Sequence, residues 1–335
     1  MTLTELLVVI LIMSLLLGIS LPMMRTAVQD RALREASRQL NTYVQLAKAQ
    51  AAERGRPVGL WLETERLPEG FPADTLFCQQ LFLAETPPPY GGDVVGARIR
   101  VDSSVVSNDP DTNRPQYQAA FVQLSATPPP TMDQTVSSAS FQFLVQQGDT
   151  IRFDFKGPRY RIIAIALPQI TIEGEIHEPP PPTGDMQYQV FRSPQRSGVT
   201  PMAFSGDAVI DLSLSGIGLN GLELGQATSP IVIMFSPTGS IDRIVGRDLP
   251  VIRPGTVHLL IGSLRNMMEP GEGVPVFGED YNRNLEETVN LWVSIGHQSG
   301  GVVSAQNAWE ARTDFSESLA AAREFSEQRF AIGGR

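Results

Sequence analysis

Two hydrophobic patterns follow one another at the start of the chain. Residues Leu6–Met24 are 19 positions without a formal charge, and as a helix they would span about 28 Å, close to a hydrocarbon core of about 30 Å. After Arg25, apolar residues recur at spacings of three and four: Leu33, Ala36, Leu40, Tyr43/Val44, Ala47 and Ala51. Gly55 and Pro57 then indicate a helix end. The pattern predicts one helix over residues 1–54, whose second half packs on the rest of the chain through its apolar stripe.

The residues from Gly55 to Asn307 show short apolar or alternating runs separated by turn residues. They predict strands at 58–62, 76–83, 97–101, 121–124, 141–145, 151–155, 160–167, 170–176, 209–214, 231–235, 241–245, 257–261 and 291–295. Hairpin turns are predicted at 156–159, 236–239 and 298–301. Since no helix of a dozen residues separates these strands, the sheet is predicted to be antiparallel.

The end of the chain predicts a last amphipathic helix over residues 316–328, docked on the body or reaching a neighbouring subunit. A proline run at 179–182 marks the predicted boundary between two β lobes. The predicted organisation is residues 1–54 as a spine helix (1–24 as transmembrane segment and filament core), 55–182 and 183–308 as antiparallel β lobes, and 309–335 as C-terminal helix and tail. The predicted fold class is α+β: a long N-terminal helix packed on an antiparallel β body, with a short C-terminal helix.

The apolar run of residues 6–24 does not read as a cleavable signal peptide, because no Lys or Arg precedes it and no small-residue cleavage site follows it. A plain membrane anchor is also disfavoured. Glu5 directly precedes the run, and an acid is energetically costly inside a membrane. The basic residues Arg25, Arg31, Arg34 and Arg38 all follow the run, which would keep the rest of the chain in the cytoplasm. We therefore expect the sequence to be a processed product that has lost a basic leader.

The run from Met1 to Ile10, MTLTELLVVI, with its apolar continuation to Pro22, resembles the mature N-terminus of type IV pilins and type II secretion pseudopilins. Thr2, Leu3, Glu5 and Pro22 match that pattern, whereas Met1 departs from the usual Phe. The stretches 231–245 and 290–305 resemble, more weakly, the C-terminal hairpins of minor pilins and pseudopilins.

The resemblance implies a prepilin peptidase, an N-methylated Met1, and an inner-membrane assembly machinery. The subunit would be held in the bacterial inner membrane before it joins an extracellular filament of identical subunits. Met1, Leu3, Glu5, Leu6 and Pro22 would be the assembly residues, with Glu5 paired to the Met1 amine of a neighbouring subunit. Pro22 removes a backbone donor near Gly18, so residues 18–22 are expected to kink, or alternatively to melt and extend, in the filament.

Composition and charge exclude several other classes. The 26 basic residues against 36 acidic ones give a net charge of −10, which argues against a nucleic-acid partner. One cysteine, Cys78, excludes an intrachain disulfide, and the three histidines have no metal-ligand spacing. The motif GIGLNG at residues 216–221 matches a dinucleotide fingerprint, but Gly225 and Pro230 prevent the helix that must follow, so Asn220-Gly221 is interpreted as a turn.

Two weaker candidates remain. Asp109, Asp111 and Asn113 alternate as calcium ligands would, and Asp280 lies in a second acidic turn, but solvated turns are the preferred interpretation and no resident cofactor is expected. Arg152, Lys156, Arg159 and Arg161 interleave with aromatic residues, as in a nucleic-acid strip. Strand alternation instead predicts that Ile151, Phe153 and Phe155 point inward and that the cations form an ordinary solvated face.

The predicted function is therefore structural and non-enzymatic: a pilin-type subunit that polymerises through its N-terminal helix. The alternatives are a minor pilin or pseudopilin at low copy number, and a membrane-anchored binding module that never polymerises.

The role of Glu5 gives the first testable prediction. Glu5→Ala is expected to leave a folded subunit that assembles poorly, because the lone acid can no longer fix the axial offset between neighbouring helices. Electron microscopy of assemblies from the variant and the wild type measures this. Abundant assemblies of normal appearance from Glu5→Ala would contradict the pairing role.

Overall fold

In this computed structural model, the structure describes residues 3–68, 75–92, 96–102, 104–110, 113–122, 144–167, 169–174, 180, 184–199, 201–226, 230–246, 255–268, 283–310 and 314–331. Side chains are described within these ranges except at 3–5, 15–28, 122, 223, 226 and 329–331. The chain divides into two compact units. The first comprises residues 1–84 and 196–335, and the second comprises residues 85–195.

The described part of the chain contains a few helices and many short strands. The helices are α1 (Leu3–Arg54), α2 (Leu264–Met267) and α3 (Phe315–Ala331), with 3-10 turns at Glu223–Gln226 and Arg283–Leu285. The strands are β1 (Val58–Leu62), β2 (Glu65–Arg66), β3 (Leu76–Cys78), β4 (Gln80–Glu85), β5 (Arg98–Val101), β6 (Ser107–Asn108), β7 (Pro115–Val122), β8 (Thr150–Phe153), β9 (Tyr160–Ala166), β10 (Gln169–Glu173), β11 (Asp185–Phe191), β12 (Gln195–Arg196), β13 (Met202–Ala203), β14 (Ala208–Ile217), β15 (Ile231–Phe235), β16 (Ile241–Val245), β17 (Val257–Ser263), β18 (Leu291–Ile295) and β19 (Val302–Gln306).

Helix α1 is one continuous element of 52 residues, about 78 Å long. It ends where Gly55 adopts a left-handed φ of 61°, a conformation that glycine reaches without a Cβ clash. The observed end of α1 at Arg54 coincides with the end that Gly55 and Pro57 indicate in the sequence.

The first unit holds two sheets on which the second half of α1 packs. One sheet has the order β12-β4-β1-β15-β16, with β13 beside β4, and the other has the order β19-β18-β17-β14-β3-β2. Strand β1 pairs antiparallel with β15, with Leu60 opposite Ile233. The predicted stripe of α1 is buried, with Leu40, Val44 and Ala47 at 0% exposure and in one core cluster with Leu60, Ile233 and Leu259. The stripe therefore packs on strands of both sheets of the first unit.

The second unit is a sheet closed on itself. Its order is β10-β9-β8-β11-β5-β7-β6, and β10 also pairs with β7, so six strands form a complete ring. Alternating residues point into this ring, for example Met186, Tyr188 and Val190 of β11, and they form a separate core with Ile151 and Phe153. Closure pairs both edges of the six-stranded sheet, which removes the exposed backbone groups of an open edge.

The predicted fold class needs correction. The molecule is mainly β, and its strands form two open sheets and one closed sheet instead of the single β body behind a pilin-type spine helix that was predicted. The reason is that ring closure depends on the pairing of β10 with β7, about fifty residues away along the chain, and no local pattern encodes such a contact. The predicted lobe boundary at 182/183 also differs from the division points at 84/85 and 195/196.

Hairpin 151–161 differs from its prediction at the turn. The chain turns between Phe153 and Lys156, because the Lys156 N–H donates to the Phe153 carbonyl at 3.1 Å. Strand β8 therefore ends at Phe153, and Phe155 is 55% exposed. The prediction that Phe155 points inward is wrong, whereas Ile151 and Phe153 are buried as predicted.

Helix α3 docks on the first unit through a buried arginine. Arg323 is 0% exposed, and its guanidinium donates to the carbonyls of Leu214 (2.8 Å), Gly218 (2.9 Å), Leu219 (3.2 Å) and Gly221 (2.8 Å). These carbonyls belong to the end of β14 and to the turn in the glycine-rich motif, which confirms the interpretation of that motif as a turn. Leu319 and Ala322 of α3 are buried against Trp292, so the helix docks on the body of its own subunit.

Replacing Arg323 tests this docking. Arg323→Met is expected to lower the free energy of unfolding by about 3 kcal/mol or more, because four buried carbonyls lose a charged donor. Denaturant unfolding measures the loss. The matched control Glu324→Gln, on the exposed face of the same helix, is expected to stay within about 0.5 kcal/mol of the wild type. A loss below about 1 kcal/mol for Arg323→Met would contradict the docking role.

Candidate functional site

The first described segment of α1 is apolar on every side and exposed. Residues 6–13 are 48–63% exposed, with Val9 at the low end and Leu11 at the high end. The hydroxyl of Ser14 donates back to the Ile10 carbonyl at 2.8 Å, so it offers the surroundings no donor. A helix that is hydrophobic all round is normally buried, and monomers seldom expose contiguous apolar surface beyond several hundred Å². This segment, which we call the apolar segment (residues 6–13), is the candidate functional site.

Polar contacts fix the second half of α1 to the hairpin β18–β19. Ser304 of β19 accepts hydrogen bonds from the Ser37 hydroxyl at 2.8 Å and from the Asn41 amide at 2.9 Å. About two turns further on, the Lys48 ammonium donates to the Gly300 carbonyl at 2.8 Å. Partial burial lowers the pKa of Lys48. These bonds, with the buried stripe, attach the second half of α1 to the sheet.

The tight approach of two glycines lets Lys48 reach its acceptor. A Cβ on Gly300 would lie 1.9 Å from the Gly239 carbonyl oxygen, so no larger residue fits there. Gly239 has a φ of 91° and Gly300 a φ of 55°, both left-handed. The two predicted hairpin turns at 236–239 and 298–301 therefore meet beside α1 and hold it.

Between the apolar segment and the packed half of α1 lies a charged stretch. Asp30 and Arg34 form an exposed ion pair with 2.8 Å between Asp30 Oδ2 and Arg34 Nη2. Arg31 and Arg38 are also exposed, whereas the side chain of Arg25 lies outside the described residues. This stretch offers charges of both signs to whatever lies alongside the helix.

Most of the predicted assembly residues have side chains that lie outside the described part of the structure. Met1 and the side chains of Leu3, Glu5, Gly18 and Pro22 lie outside it, and Leu6 is 53% exposed. The helix assignment runs through residues 18 and 22 without a break. The predicted roles of these residues, including kinking or melting at 18–22, stay predictions.

The predicted calcium loops are only partly described. Asp109 and Asn113 close a turn, in which the Asn113 N–H donates to the Asp109 carbonyl at 2.9 Å and Asn113 has a φ of 54°. Asp111 and Asp280 lie outside the described residues. Within the described ranges, no group of three or more His, Cys, Asp and Glu side chains is placed to hold a metal ion. Calcium binding stays a prediction.

Sequence reasoning missed a buried polar cluster around His258. Its Nδ1 lies 2.8 Å from the Ser294 hydroxyl, its Nε2 lies 3.2 Å from Glu327 Oε1, and Ser294 lies 2.6 Å from Ser326. The ring of Trp292 meets the imidazole edge to face, with 6.3 Å between centroids. The members come from β17, β18 and α3, so no sequence spacing could have joined them.

The His258 cluster is a structural contact and not a reactive site. A serine, a histidine and a carboxylate in a chain are the parts of a nucleophilic site. Here, however, Ser294, Ser326 and His258 are all 0% exposed, so a substrate could not reach the hydroxyl. Burial, and then the nearby charge of Arg323, lower the pKa of His258 to about 3, and these effects outweigh the Glu327 carboxylate, which favours the charged ring. The cluster therefore holds a neutral histidine between α3 and the sheet.

Comparison with known proteins gives no relative: no family model, no curated protein and no solved structure matches this chain. The prediction that the chain is a type IV pilin or secretion pseudopilin is thereby corrected. The resemblance rested on residues 1–22 and on two hairpin stretches, and the remaining chain forms a mainly β molecule with a closed six-stranded sheet. A short motif in an apolar run constrains little of the fold around it.

The predicted location is corrected as well. Within the described part of the chain, no helix offers an apolar stretch long enough to traverse a bilayer. This finding contradicts the transmembrane interpretation of residues 1–24 and, with it, the inner-membrane stage from which the extracellular location was inferred.

Titration of His258 predicts a pH dependence of stability. The unfolded chain takes up a proton near pH 6.5, whereas the folded state takes it up only near pH 3. The contribution of this group is therefore complete above pH 6.5 and is lost as the pH falls towards 3, by at most about 1.4 kcal/mol per pH unit. Denaturant unfolding between pH 7 and pH 4 measures it. His258→Gln is expected to show a shallower decline than the wild type, and equal slopes would contradict the assignment.

Proposed function

We propose that the chain is a non-enzymatic structural subunit that polymerises with copies of itself through the apolar segment of α1. The observation that carries this proposal is the exposure of eight consecutive aliphatic side chains, residues 6–13, on a helix whose other half is fixed to the sheets. Such a segment has no route back onto its own body, so another molecule must cover it.

The chemistry of the segment favours a copy of the same segment as the cover. Its side chains are all apolar, and the hydroxyl of Ser14, which follows the segment, is satisfied within the helix. Association therefore needs only complementary packing of helix surfaces. Each side chain is about half exposed, so covering it gains roughly 1 kcal/mol. Eight such gains are comparable to the cost of association, which is on the order of 4–15 kcal/mol.

The charged stretch that follows supports an ordered rather than a random association. Asp30 and Glu35 alternate with Arg31, Arg34 and Arg38 on the exposed surface of α1. Helices that pack side by side with a fixed axial offset can place an acid of one copy against an arginine of the next. Wrong offsets would oppose like charges, and that repulsion favours a single register.

A pair of charge insertions tests the proposal. Leu7→Glu with Leu11→Glu is expected to abolish self-association, because two carboxylates one turn apart cannot be buried in an apolar contact. Both residues are exposed, at 60% and 63%, so the fold and its melting temperature should not change. Sedimentation velocity and negative-stain microscopy of the full-length chain measure the assembly state.

The matched control is Leu46→Glu, since Leu46 is 40% exposed on the half of α1 that packs on the sheets. The control should assemble like the wild type. Equal assembly of the double variant, or a wild type that stays monomeric at all concentrations, would refute polymerisation through the segment and favour a binding module that acts as a single chain.

A further inference from the structure

The second unit (85–195) carries a row of arginines across four strands of its closed sheet. Arg161 of β9 lies opposite Thr150 of β8, and Phe191 of β11 lies opposite the same residue. Arg152 lies opposite Gln189, and Arg98 lies opposite Gln187 on the next strand. Because residues opposite one another share a face of the sheet, the outward side chains of β9, β8, β11 and β5 form one surface. We call it the arginine face: Arg98, Arg100, Arg152, Arg159, Arg161 and Lys156.

Aromatic contacts set the positions of two of these cations. The guanidinium of Arg159 lies 3.7 Å from the centroid of the Phe191 ring, and that of Arg152 lies 5.0 Å from it. A planar guanidinium stacked on a ring loses less rotamer freedom when it binds a phosphate than one that moves freely in water. Phe191 thus holds a pair of arginines at the centre of the face.

Phe155 lies in a strained turn that follows the end of β8. Asp154 and Phe155 have φ values of 48° and 58°, both left-handed, and the Lys156 N–H closes the turn on the Phe153 carbonyl. The second position of such a turn normally takes glycine, and a bulky aromatic residue there is a backbone outlier. Phe155 is nonetheless 55% exposed, so burial of its side chain does not offset the backbone strain. Strain kept at an exposed aromatic residue indicates a function for that side chain.

Acidic groups on this surface do not cancel its charge. Asp185 is paired with Arg100 at 2.7 Å, and Asp154 accepts a hydrogen bond from the Gln187 N–H at 3.2 Å. Glu173 of β10 lies opposite Arg161 and is buried, with 3.8 Å between its Oε2 and Arg114 Nη1. Among the described residues, these three acids stand against six cations on the face. In a chain whose net charge is −10, such a local excess of positive charge is complementary to a polyanion. The total charge, which argued against nucleic acid at the level of the sequence, does not describe this surface.

We propose that the arginine face of residues 85–195 binds single-stranded nucleic acid, with phosphates on Arg152, Arg161 and Lys156 and an unstacked base on Phe155. A basic surface with an exposed aromatic ring is the combination that single strands require, since each base offers a face for stacking. A duplex keeps its bases stacked and leaves Phe155 without a partner. This binding is independent of polymerisation, because its residues lie in a different unit from α1.

The test is fluorescence anisotropy of a labelled 20-nucleotide oligo-dT with the full-length chain in a non-ionic detergent at 50 mM salt. Wild-type binding is expected to weaken with salt, with a log–log slope of about −2 to −3 for three or four phosphate contacts. Phe155→Gly is expected to weaken binding about tenfold or more through loss of stacking. The same change should leave the chain at least as stable, because Asp-Gly suits the left-handed turn.

Charge variants separate this site from general electrostatics. Arg161→Glu is expected to weaken oligo-dT binding at least tenfold and to reduce the salt slope by about 0.7. Arg54→Glu, an equal charge change at the exposed end of α1 and outside the charged stretch, should leave binding unchanged. The proposal is overturned if oligo-dT does not bind, or if Arg54→Glu weakens binding as much as Arg161→Glu. It is also overturned if the wild type and Phe155→Gly bind oligo-dT equally well, as they would bind heparin.

Discussion

The buried stripe of α1 is the contact on which the rest of the molecule depends. Leu40, Val44 and Ala47 place one face of the helix against strands of both sheets of the first unit. Small residues in this stripe let the helix axis approach the sheets closely, and the packing then fixes the direction in which the helix leaves the body. The same packing that stabilises the fold therefore obliges the apolar segment of residues 6–13 to project away from its own core. The proposed association would be a consequence of this constraint.

The hairpin β18–β19 connects the two ends of the chain. On one side Ser304 bonds to Ser37 and Asn41 of α1, and on the other side α3 packs on both strands. Arg323 and His258 are costly to bury. The docked position of α3 brings Arg323 to the Leu214 carbonyl and Glu327 to the His258 ring. The C-terminal helix thus stabilises the strands on which α1 packs. A change at residue 323 is therefore expected to weaken the attachment of α1 to β18 and β19 as well.

The sequence predicts the elements of this molecule better than it predicts their arrangement. Strands 58–62, 231–235, 241–245 and 291–295 were predicted with their observed bounds, because each is a short apolar or alternating run between turn residues. Strand β11 was missed, although Met186, Tyr188 and Val190 alternate inward, because it follows directly on the proline run. Closure of the second sheet could not be predicted, since it depends on the long-range pairing of Ile172 with Tyr117.

The candidate sites also differ in how far they can be predicted from the sequence. The apolar segment is visible in the sequence, because eight aliphatic residues in succession leave a helix no polar face. Phe155 was misplaced because strand alternation was continued through a turn, and only the positive φ of Asp154 and Phe155 reveals the change of direction. His258, Ser294 and Glu327 are joined by tertiary structure alone, and no motif spans the distances between them.

The central claim is that the apolar segments of different copies lie against one another, and disulfide crosslinking tests it most directly. The native Cys78 is buried and burial raises the pKa of its thiol, so it leaves an introduced cysteine as the reactive one. With Ile10→Cys, mild oxidation is expected to give covalent dimers in high yield, whereas Leu46→Cys gives few. Equal and low yields for both variants, under conditions where the chain is concentrated, would contradict the account.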